Sequence, residues 1–170
     1  MARIVLADAS PLIGLARVDG IDWLTAIFDE VWVPIEVYKE VVSGSGAADE
    51  PIIQAAVSKG TLKIWPHEAP VSPDLPDLDE GEAACIRIGL SQDGPALILI
   101  DERAGRSIAC EHGLRVAGTA AVIGMAKIRG LIPSAKAVFA RLHASDFRIA
   151  APVINAVLER VGEATAAPRS

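Results

Sequence analysis

The sequence predicts an α/β protein, with a three-layer α/β/α fold around a central parallel sheet of four to five strands. Two runs of aliphatic residues, 4–7 and 96–100, are short and uninterrupted, as expected of strands buried on both faces. Shorter apolar runs at 31–33, 62–65 and 115–117 are also expected to be strands. Stretches with helical character lie between these runs, and no hairpin signal joins two of them, which is typical of the crossovers of a parallel sheet.

Helices are predicted in the intervals between the strands and after the last one. Ser10 is a suitable N-cap and Pro11 fits the first helical position, so the first helix is expected to begin there. Pro34 is expected to open another helix, and Gly113 to end one. The later helices are expected at about 21–28, 34–42, 49–59, 80–91, 103–112, 119–129, 134–144 and 150–162.

The least regular part of the chain is the segment 66–78, where prolines recur and exclude regular structure. We interpret it as a surface loop, because neither flank makes a complete domain alone. The chain is therefore expected to form a single domain over residues 1–163, followed by a frayed tail over 164–170.

Composition favours a soluble protein of the cytoplasm. Of its 170 residues 51% are hydrophobic, yet no uncharged apolar run approaches the roughly 18 residues of a membrane span. The N-terminal residues lead straight into a predicted strand, without the apolar region of a signal peptide. Cys85 and Cys110 lack Cys-x-x-Cys spacing and are expected to be reduced thiols.

Charge is unevenly distributed along the chain. The net charge of −6 argues against a generally basic nucleic-acid binder. Residues 1–80 carry 5 Lys/Arg and 14 Asp/Glu, whereas residues 81–170 carry 11 and 8. This asymmetry suits an acidic face that holds a metal and a separate basic rim that meets an anion. A random scatter of solvated charges is the alternative.

The most informative residues are two aspartates, Asp8 and Asp101, each of which directly follows a predicted buried strand. Carboxylates in this position lie at the carboxyl edge of a parallel sheet, where open α/β folds bind ligands. Two more acids, Glu40 and Glu82, fall near helix starts that can gather at the same edge. Together these carboxylates could hold a divalent cation.

Each of these acids also has an ordinary structural explanation. Asp8 could accept hydrogen bonds from the turn before Ser10, and Asp101 could cap the helix that follows it. Glu82 has N3 spacing from an N-cap Asp79, so the two could form a capping box. Glu40 could simply be solvated at the surface.

Five segments in order make the chain resemble the PIN-domain family, over about residues 3–160. They are 8–13, 33–40, 78–84, 100–106 and 118–132. The resemblance is closest to a branch of predicted nucleic-acid-binding PIN proteins, and the family also contains the VapC-like ribonuclease toxins of toxin–antitoxin pairs. It implies a three-layer PIN-like fold. The acidic quartet of the family falls on Asp8, Glu40, Glu82 and Asp101, as both catalytic and metal-binding residues, with Ser10 and Thr119 in supporting positions. At the third acidic position many catalytic relatives have Asp.

The resemblance implies a metal-dependent endoribonuclease with Mg²⁺ or Mn²⁺ as cofactor. Such an enzyme, a hydrolase, cleaves RNA phosphodiesters with a water that the metal activates. The implied partners are RNA, single-stranded or structured, a cognate antitoxin protein and a second copy of the chain, with no membrane. A non-catalytic PIN-like module that binds nucleic acid or protein is the alternative.

Basic residues that could contact nucleic acid are Arg103 and Arg106, on the helix after Asp101, and Lys127 and Arg129, at the end of a later helix. Ordinary surface charge and helix C-terminal charge complementarity are the alternative explanation.

The C-terminal helix carries a broad apolar stripe, which suggests a homodimer. Its members are Val153, Ile154, Val157, Leu158 and Val161. Packing of the stripe on the chain itself is the alternative.

Overall fold

The computed structural model describes residues 4–164, and the predicted fold class is confirmed in that range. Five strands form one parallel sheet with the order β3-β2-β1-β4-β5, and helices flank it. The strands are β1 (Ile4–Ala7), β2 (Val31–Val33), β3 (Leu62–Ile64), β4 (Ala96–Leu99) and β5 (Arg115–Ala117).

The described chain divides into two compact units, one that ends at Thr119 and one that begins at Ala120. The first unit contains the sheet and the helices α1 (Ala9–Arg17), α2 (Trp23–Phe28), α3 (Ile35–Val41), α4 (Asp49–Ser58), α5 (Glu80–Leu90) and α6 (Arg103–Glu111). The second contains nearly all of α7 (Thr119–Ile128), together with α8 (Ala135–Ala144) and α9 (Ala151–Arg160). A single domain over 1–163 stays a prediction. Of the predicted tail, residues 165–170 lie outside the described residues.

The strand order reverses between β1 and β4, which is the position at which open α/β sheets bind ligands. From β1 the chain moves outward to β2 and β3, then returns to add β4 on the other side of β1. In open α/β sheets the crevice at such a reversal lies at the carboxyl ends of the strands. Ala7 pairs with Leu99, and the Asp8 amide donates to the Leu99 carbonyl at 2.9 Å. The residues that follow β1 and β4 therefore lie side by side at this crevice.

The helix after β1 begins two residues earlier than predicted, at Ala9 instead of Pro11. It starts at Ala9, so the N-cap position belongs to Asp8, and the prediction of Ser10 as N-cap is wrong. The Ser10 hydroxyl instead donates to Asp101 Oδ2 at 2.9 Å. An N-cap hydroxyl would accept from a backbone amide, whereas Ser10 lies inside the first turn and uses its hydroxyl as a donor to the charged carboxylate that follows the neighbouring strand.

The proline-rich segment 66–78 has no regular structure, as predicted, but it is attached to the first unit. Arg87 Nε of α5 donates to the Pro73 carbonyl at 2.8 Å. Leu75 is only 7% exposed and belongs to a small core with Ala83, Ile86 and Ala109 of α5 and α6. These contacts fix the end of the loop immediately before the start of α5.

The second unit has its own internal contacts. A Cβ atom at Gly124 of α7 would lie 2.9 Å from Val157 Cγ1 of α9, so the glycine permits a close approach of the two helices. Glu163 accepts hydrogen bonds from the Ala135 and Lys136 amides and from the Ser134 hydroxyl at the start of α8. Part of the apolar stripe on α9 is thus used within this unit.

Candidate metal centre

Asp8 is the most deeply buried acid of the crevice. Asp8 is 5% exposed, and within residues 4–164 its Oδ1 atom has no hydrogen-bond partner. Burial, followed by the charges of Asp79, Glu82 and Glu40, raises the pKa of Asp8 from its ordinary 3.8 to about 7, against the opposing effect of the Ala9 amide. A buried carboxylate oxygen without a donor is unfavourable unless a cation or a proton compensates it.

Gly81, in the first turn of α5, leaves open the space between Asp8 and Glu40. A Cβ atom at this position would lie 3.2 Å from Asp8 Oδ1 and 3.4 Å from Glu40 Oε2. Glu40 comes from α3 and is more exposed than Asp8. Partial burial and the charge of Asp79 raise the pKa of Glu40. The structure thus brings Asp8 and Glu40 to the same point above the start of α5.

Glu82 is held in a capping box with Asp79, which confirms the structural explanation for its position. Asp79 Oδ1 accepts from the Glu82 amide at 2.8 Å, and Glu82 Oε2 accepts from the Asp79 amide at 3.3 Å. Glu82 is 6% exposed, and burial and the charge of Asp79 raise its pKa, with smaller contributions from Glu102 and Glu40. The capping box orients the Glu82 side chain, and the charge of Glu82 still acts on the other acids, since it contributes to the raised pKa of Asp8.

Asp101 is surrounded by hydrogen-bond donors. Its Oδ2 accepts from the hydroxyls of Ser10 at 2.9 Å and Thr119 at 2.7 Å, and its Oδ1 accepts from the Thr119 amide at 2.7 Å. It does not cap α6, because the N-cap position is Glu102, without a side-chain cap. Ser10 and Thr119, predicted to support the site, therefore do contact an acid of the quartet. Asp101 ties the start of α1 to the chain after β5.

Arg106 lies beside Asp101, whereas Arg103 is exposed on α6. A Cβ atom at Gly118 would be 2.7 Å from Asp101 Oδ1 and 2.8 Å from Arg106 Nη1. A side chain at position 118 would therefore collide with both groups. The glycine lets the guanidinium of Arg106 and the carboxylate of Asp101 approach the same space.

The other two predicted nucleic-acid-binding residues belong to the second unit. Lys127 Nζ donates to the Pro133 carbonyl at 2.7 Å, which ties the end of α7 to the following turn. Arg129 is exposed just after α7. The contact of Lys127 supports the structural explanation for that residue.

Sequence reasoning missed Asp79 as a member of the acidic cluster. Its charge raises the pKa of Asp8, Glu40 and Glu82, and in each case it is the largest charge contribution. The sequence signal for a capping box was present, but the spacing gave no sign that the charge of the N-cap would act on acids that follow β1 or lie in α3.

The acids offer few direct ligands to a divalent cation. Within the described range, no group of three or more His, Cys, Asp or Glu side chains is arranged to hold a metal ion. Mg²⁺, however, is usually held by one or two carboxylates and several waters, and prefers hard oxygen donors. Asp8 Oδ1, unpartnered and buried, and Glu40 Oε2, across the open space at Gly81, supply such donors. The residues present therefore fit a hydrated Mg²⁺ or Mn²⁺ ion.

Comparison with protein families identifies the fold and its class. A family model described as a PIN domain matches residues 4–163. The chain belongs to the PIN-domain family, whose members have a nuclease-type fold and are generally nucleases. Comparison with curated proteins and with solved structures gives no match. Among the helices of residues 4–164, none has the length and apolar character needed to cross a membrane.

Proposed function

We propose that this protein is a Mg²⁺- or Mn²⁺-dependent endoribonuclease that hydrolyses RNA phosphodiesters. The observation that carries the proposal is the Oδ1 atom of Asp8, which is buried without a donor at the reversal of the strand order. Outside a metal-binding or catalytic site, such an atom would only destabilise the fold. Its position opposite Glu40 suits a shared cation.

The chain would hold the cation with Asp8 and Glu40, while Glu82 and Asp101 would complete the negative field around it. When bound, Mg²⁺ or Mn²⁺ supplies a water that loses a proton more readily and a positive charge opposite the phosphodiester. Ser10 and Thr119 would hold the Asp101 carboxylate in place, because their hydroxyls donate to its Oδ2. Burial of Asp8 would strengthen its attraction to the cation, since the local dielectric constant is low.

RNA would be attracted by the basic residues at the edge of the acidic crevice. Arg106 is the best placed, because its guanidinium reaches the space beside Asp101. We assign Arg103, Lys127 and Arg129 to contacts with RNA phosphates as well. Both single-stranded and structured RNA remain substrates under this proposal, since backbone contacts carry little sequence information.

The biological role that fits these properties is that of a cytoplasmic toxin in a toxin–antitoxin pair, with a cognate antitoxin protein as its inhibitor. We also propose a homodimer. Support comes from three exposed apolar residues of the second unit, Ile128 at 66%, Leu131 at 40% and Val153 at 46%. Light scattering at micromolar concentration tests the dimer, and a monomer mass with full nuclease activity would exclude it.

The nuclease is tested with purified protein and end-labelled RNA in Mg²⁺, Mn²⁺ or EDTA. We expect internal cleavage with either metal and none in EDTA. Binding of the RNA without cleavage in any metal would contradict the nuclease.

A non-catalytic module that binds nucleic acid or protein is the second candidate. It is favoured by the hydrogen bonds that engage Asp101 and Glu82, because these give two of the four acids a structural function. The same assay separates the two candidates, since a binding module retains the RNA uncut in Mg²⁺ and in Mn²⁺.

A further inference from the structure

Two of the three tryptophans of the chain lie together at the β3 side of the sheet. Trp32 is in β2, and Trp65 directly follows β3. Their ring centroids are 5.5 Å apart, and the ring planes meet at 84°. The imidazole of His67 lies 6.0 Å from the Trp65 ring, at 77°. Only 4% of the residues are Phe, Trp or Tyr, so this chain concentrates its few large rings at one place.

Trp32, the inner ring of this cluster, has a structural explanation. The Lys63 ammonium lies 5.4 Å from the centroid of the Trp32 ring, and it also donates to Glu30 Oε1 at 2.7 Å. Trp32 is in register with Leu6 of β1, a core residue, on one side and with Lys63 of β3 on the other. Sheet pairing and a cation–π contact therefore account for Trp32.

Trp65 and His67 have no such explanation. Trp65 is half-buried and His67 is exposed. The Trp65 ring meets Trp32 and His67 nearly at right angles, and neither contact is the parallel stacking in which a planar base binds to an aromatic side chain. The Trp65 amide donates to the Val33 carbonyl at 2.8 Å, and Pro66 restricts the backbone between the two rings. The rings are therefore attached to an ordered backbone.

Trp65 is at the same edge of the sheet as the acidic crevice. Asp8 follows β1 and Trp65 follows β3, and these parallel strands are separated only by β2. Two strand spacings amount to about 10 Å. At about 3.4 Å for each nucleotide of a stacked strand, this distance corresponds to about three nucleotides. An RNA strand with a phosphate at the crevice can therefore bring a nearby base to Trp65.

We propose that Trp65 and His67 form a stacking platform for one unpaired base of single-stranded RNA. The inference rests on the proposed function, because it takes RNA as the ligand, and it narrows the substrate class to RNA with unpaired bases. A duplex already stacks each base on its neighbours, so its bases are not available to the platform. Every base has a π face, so the platform selects single strands without selecting a sequence.

The test compares binding of a short labelled single-stranded RNA with binding of the duplex of the same sequence, by fluorescence anisotropy. EDTA prevents metal-dependent cleavage, and low ionic strength strengthens the phosphate contacts. Trp65→Leu removes the π face and keeps an apolar side chain, whereas Trp65→Phe keeps a ring. Trp23→Leu is the matched control, because Trp23 is also half-buried and packs against Gly20 on the helix before β2.

We expect Trp65→Leu to weaken single-strand binding at least about fivefold, the lower end of the range for stacking of one base, and to leave duplex binding within about twofold. Trp65→Phe should keep both affinities within about threefold, because it retains a stacking ring. Trp23→Leu should leave the ratio of the two affinities unchanged. His67→Ala changes an exposed side chain, so it serves if the Trp65 variants do not fold, and it should weaken single-strand binding about two- to threefold.

The outcomes separate the platform from the nuclease. Equal single-strand binding by the wild type and Trp65→Leu would overturn the platform, and so would absence of single-strand binding by the wild type. Equal losses for single strand and duplex would reduce Trp65 to a structural residue and would also overturn it. Cleavage in Mg²⁺ or Mn²⁺ tests the nuclease independently, so Trp65-dependent binding without cleavage would support the platform and contradict only the nuclease.

Discussion

Two little-exposed carboxylates of the first unit lie at the starts of helices and have opposite environments. Glu50, in the first turn of α4, is 8% exposed, and its Oε1 accepts from the amides and the hydroxyls of Ser43 and Ser45 at 2.9–3.2 Å. Asp8, before α1, is 5% exposed, and within the described range its Oδ1 accepts from no donor. The hydrogen bonds to Glu50, that from the Ser45 hydroxyl above all, lower its pKa, whereas burial raises that of Asp8 to about 7.

The difference teaches how a structural acid can be distinguished from a functional one. Glu50 stabilises the loop between α3 and α4 by accepting hydrogen bonds from Ser43 and Ser45. These bonds compensate its charge without a bound cation. Asp8 destabilises the folded chain when ionised, because its burial and the charges of neighbouring acids outweigh the effect of the Ala9 amide. A fold that retains such a group is stabilised by whatever cation binds it, and this linkage can be measured.

The largest expected effect is on RNA cleavage. Asp8→Asn should reduce the metal-dependent rate by about 100-fold or more, because it removes the buried carboxylate that would coordinate the cation. Glu50→Gln should leave the rate within about threefold of the wild type, since its carboxylate contacts only a loop. Initial rates on the same labelled RNA at saturating Mn²⁺ measure both. A wild-type rate in Asp8→Asn would give Asp8 a purely structural role.

The second effect is on stability without metal, and it has opposite signs for the two acids. In EDTA at pH 8, Asp8→Asn should raise the free energy of unfolding by up to about 4 kcal/mol, at about 1.4 kcal/mol for each pKa unit. Glu50→Ala should lower the melting temperature, because the Ser43 and Ser45 donors lose their acceptor. Urea unfolding monitored by circular dichroism measures both. A drop in stability for Asp8→Asn would show that Oδ1 has a donor in solution.

The same two acids give opposite pH dependence. The pKa of Asp8 is above its unfolded value, so its cost is complete above about pH 7 and vanishes below about pH 4. Raised pKa values of Glu40 and Glu82 act in the same direction. The lowered pKa of Glu50 gives stability that is present above pH 4.5 and is lost only as the pH falls below that value. The metal-free protein should therefore become more stable as the pH is lowered from 8 to 5.

This pH profile is checked by melting in EDTA at several pH values. Asp8→Asn should flatten it, because the group with the largest raised pKa is gone. A wild-type profile that is flat between pH 5 and 8 would contradict the raised pKa of Asp8.

The positions of the strands could be predicted from the sequence, since they depend on local patterns, whereas the metal-binding role of the four acids stays a prediction. Uninterrupted aliphatic runs gave β1 and β4, and the aspartates after them fell at the sheet edge. What it could not predict was which donors each acid would meet. Asp101 meets Thr119, which follows β5, and the charge of Asp79 acts on Asp8 and Glu40. Such contacts depend on strand order, which no local pattern encodes.

A smaller effect is expected for substitution of Asp101, whose environment shares features with those of both Glu50 and Asp8. Like Glu50, Asp101 accepts several hydrogen bonds, three in its case. Like Asp8, it lies at the crevice. Asp101→Asn should lower the free energy of unfolding by about 1–2 kcal/mol, because an amide cannot accept on both sides. Ser10→Ala should cost about 1 kcal/mol through the single hydrogen bond that it loses. Urea unfolding in EDTA checks both, and a gain in stability for Asp101→Asn would show that repulsion dominates there.

The smallest expected effect is that of adding one methyl group, by Gly81→Ala, in the space between Asp8 and Glu40. Gly81→Ala keeps every carboxylate but places a Cβ atom 3.2–3.4 Å from Asp8 Oδ1 and Glu40 Oε2, so both must move by a few tenths of an ångström. We expect Mn²⁺ affinity to fall about three- to fivefold, as a modest disturbance of a metal site does. Gly89→Ala on the same helix is the control, since its Cβ would crowd Ile98 and Leu114, at 3.1 and 3.4 Å, instead of carboxylates. It should lose stability by overpacking and keep its Mn²⁺ affinity. Unchanged affinity in Gly81→Ala would place the cation away from the space that Asp8 and Glu40 share, and would remove the contrast between Asp8 and Glu50 on which these expectations rest.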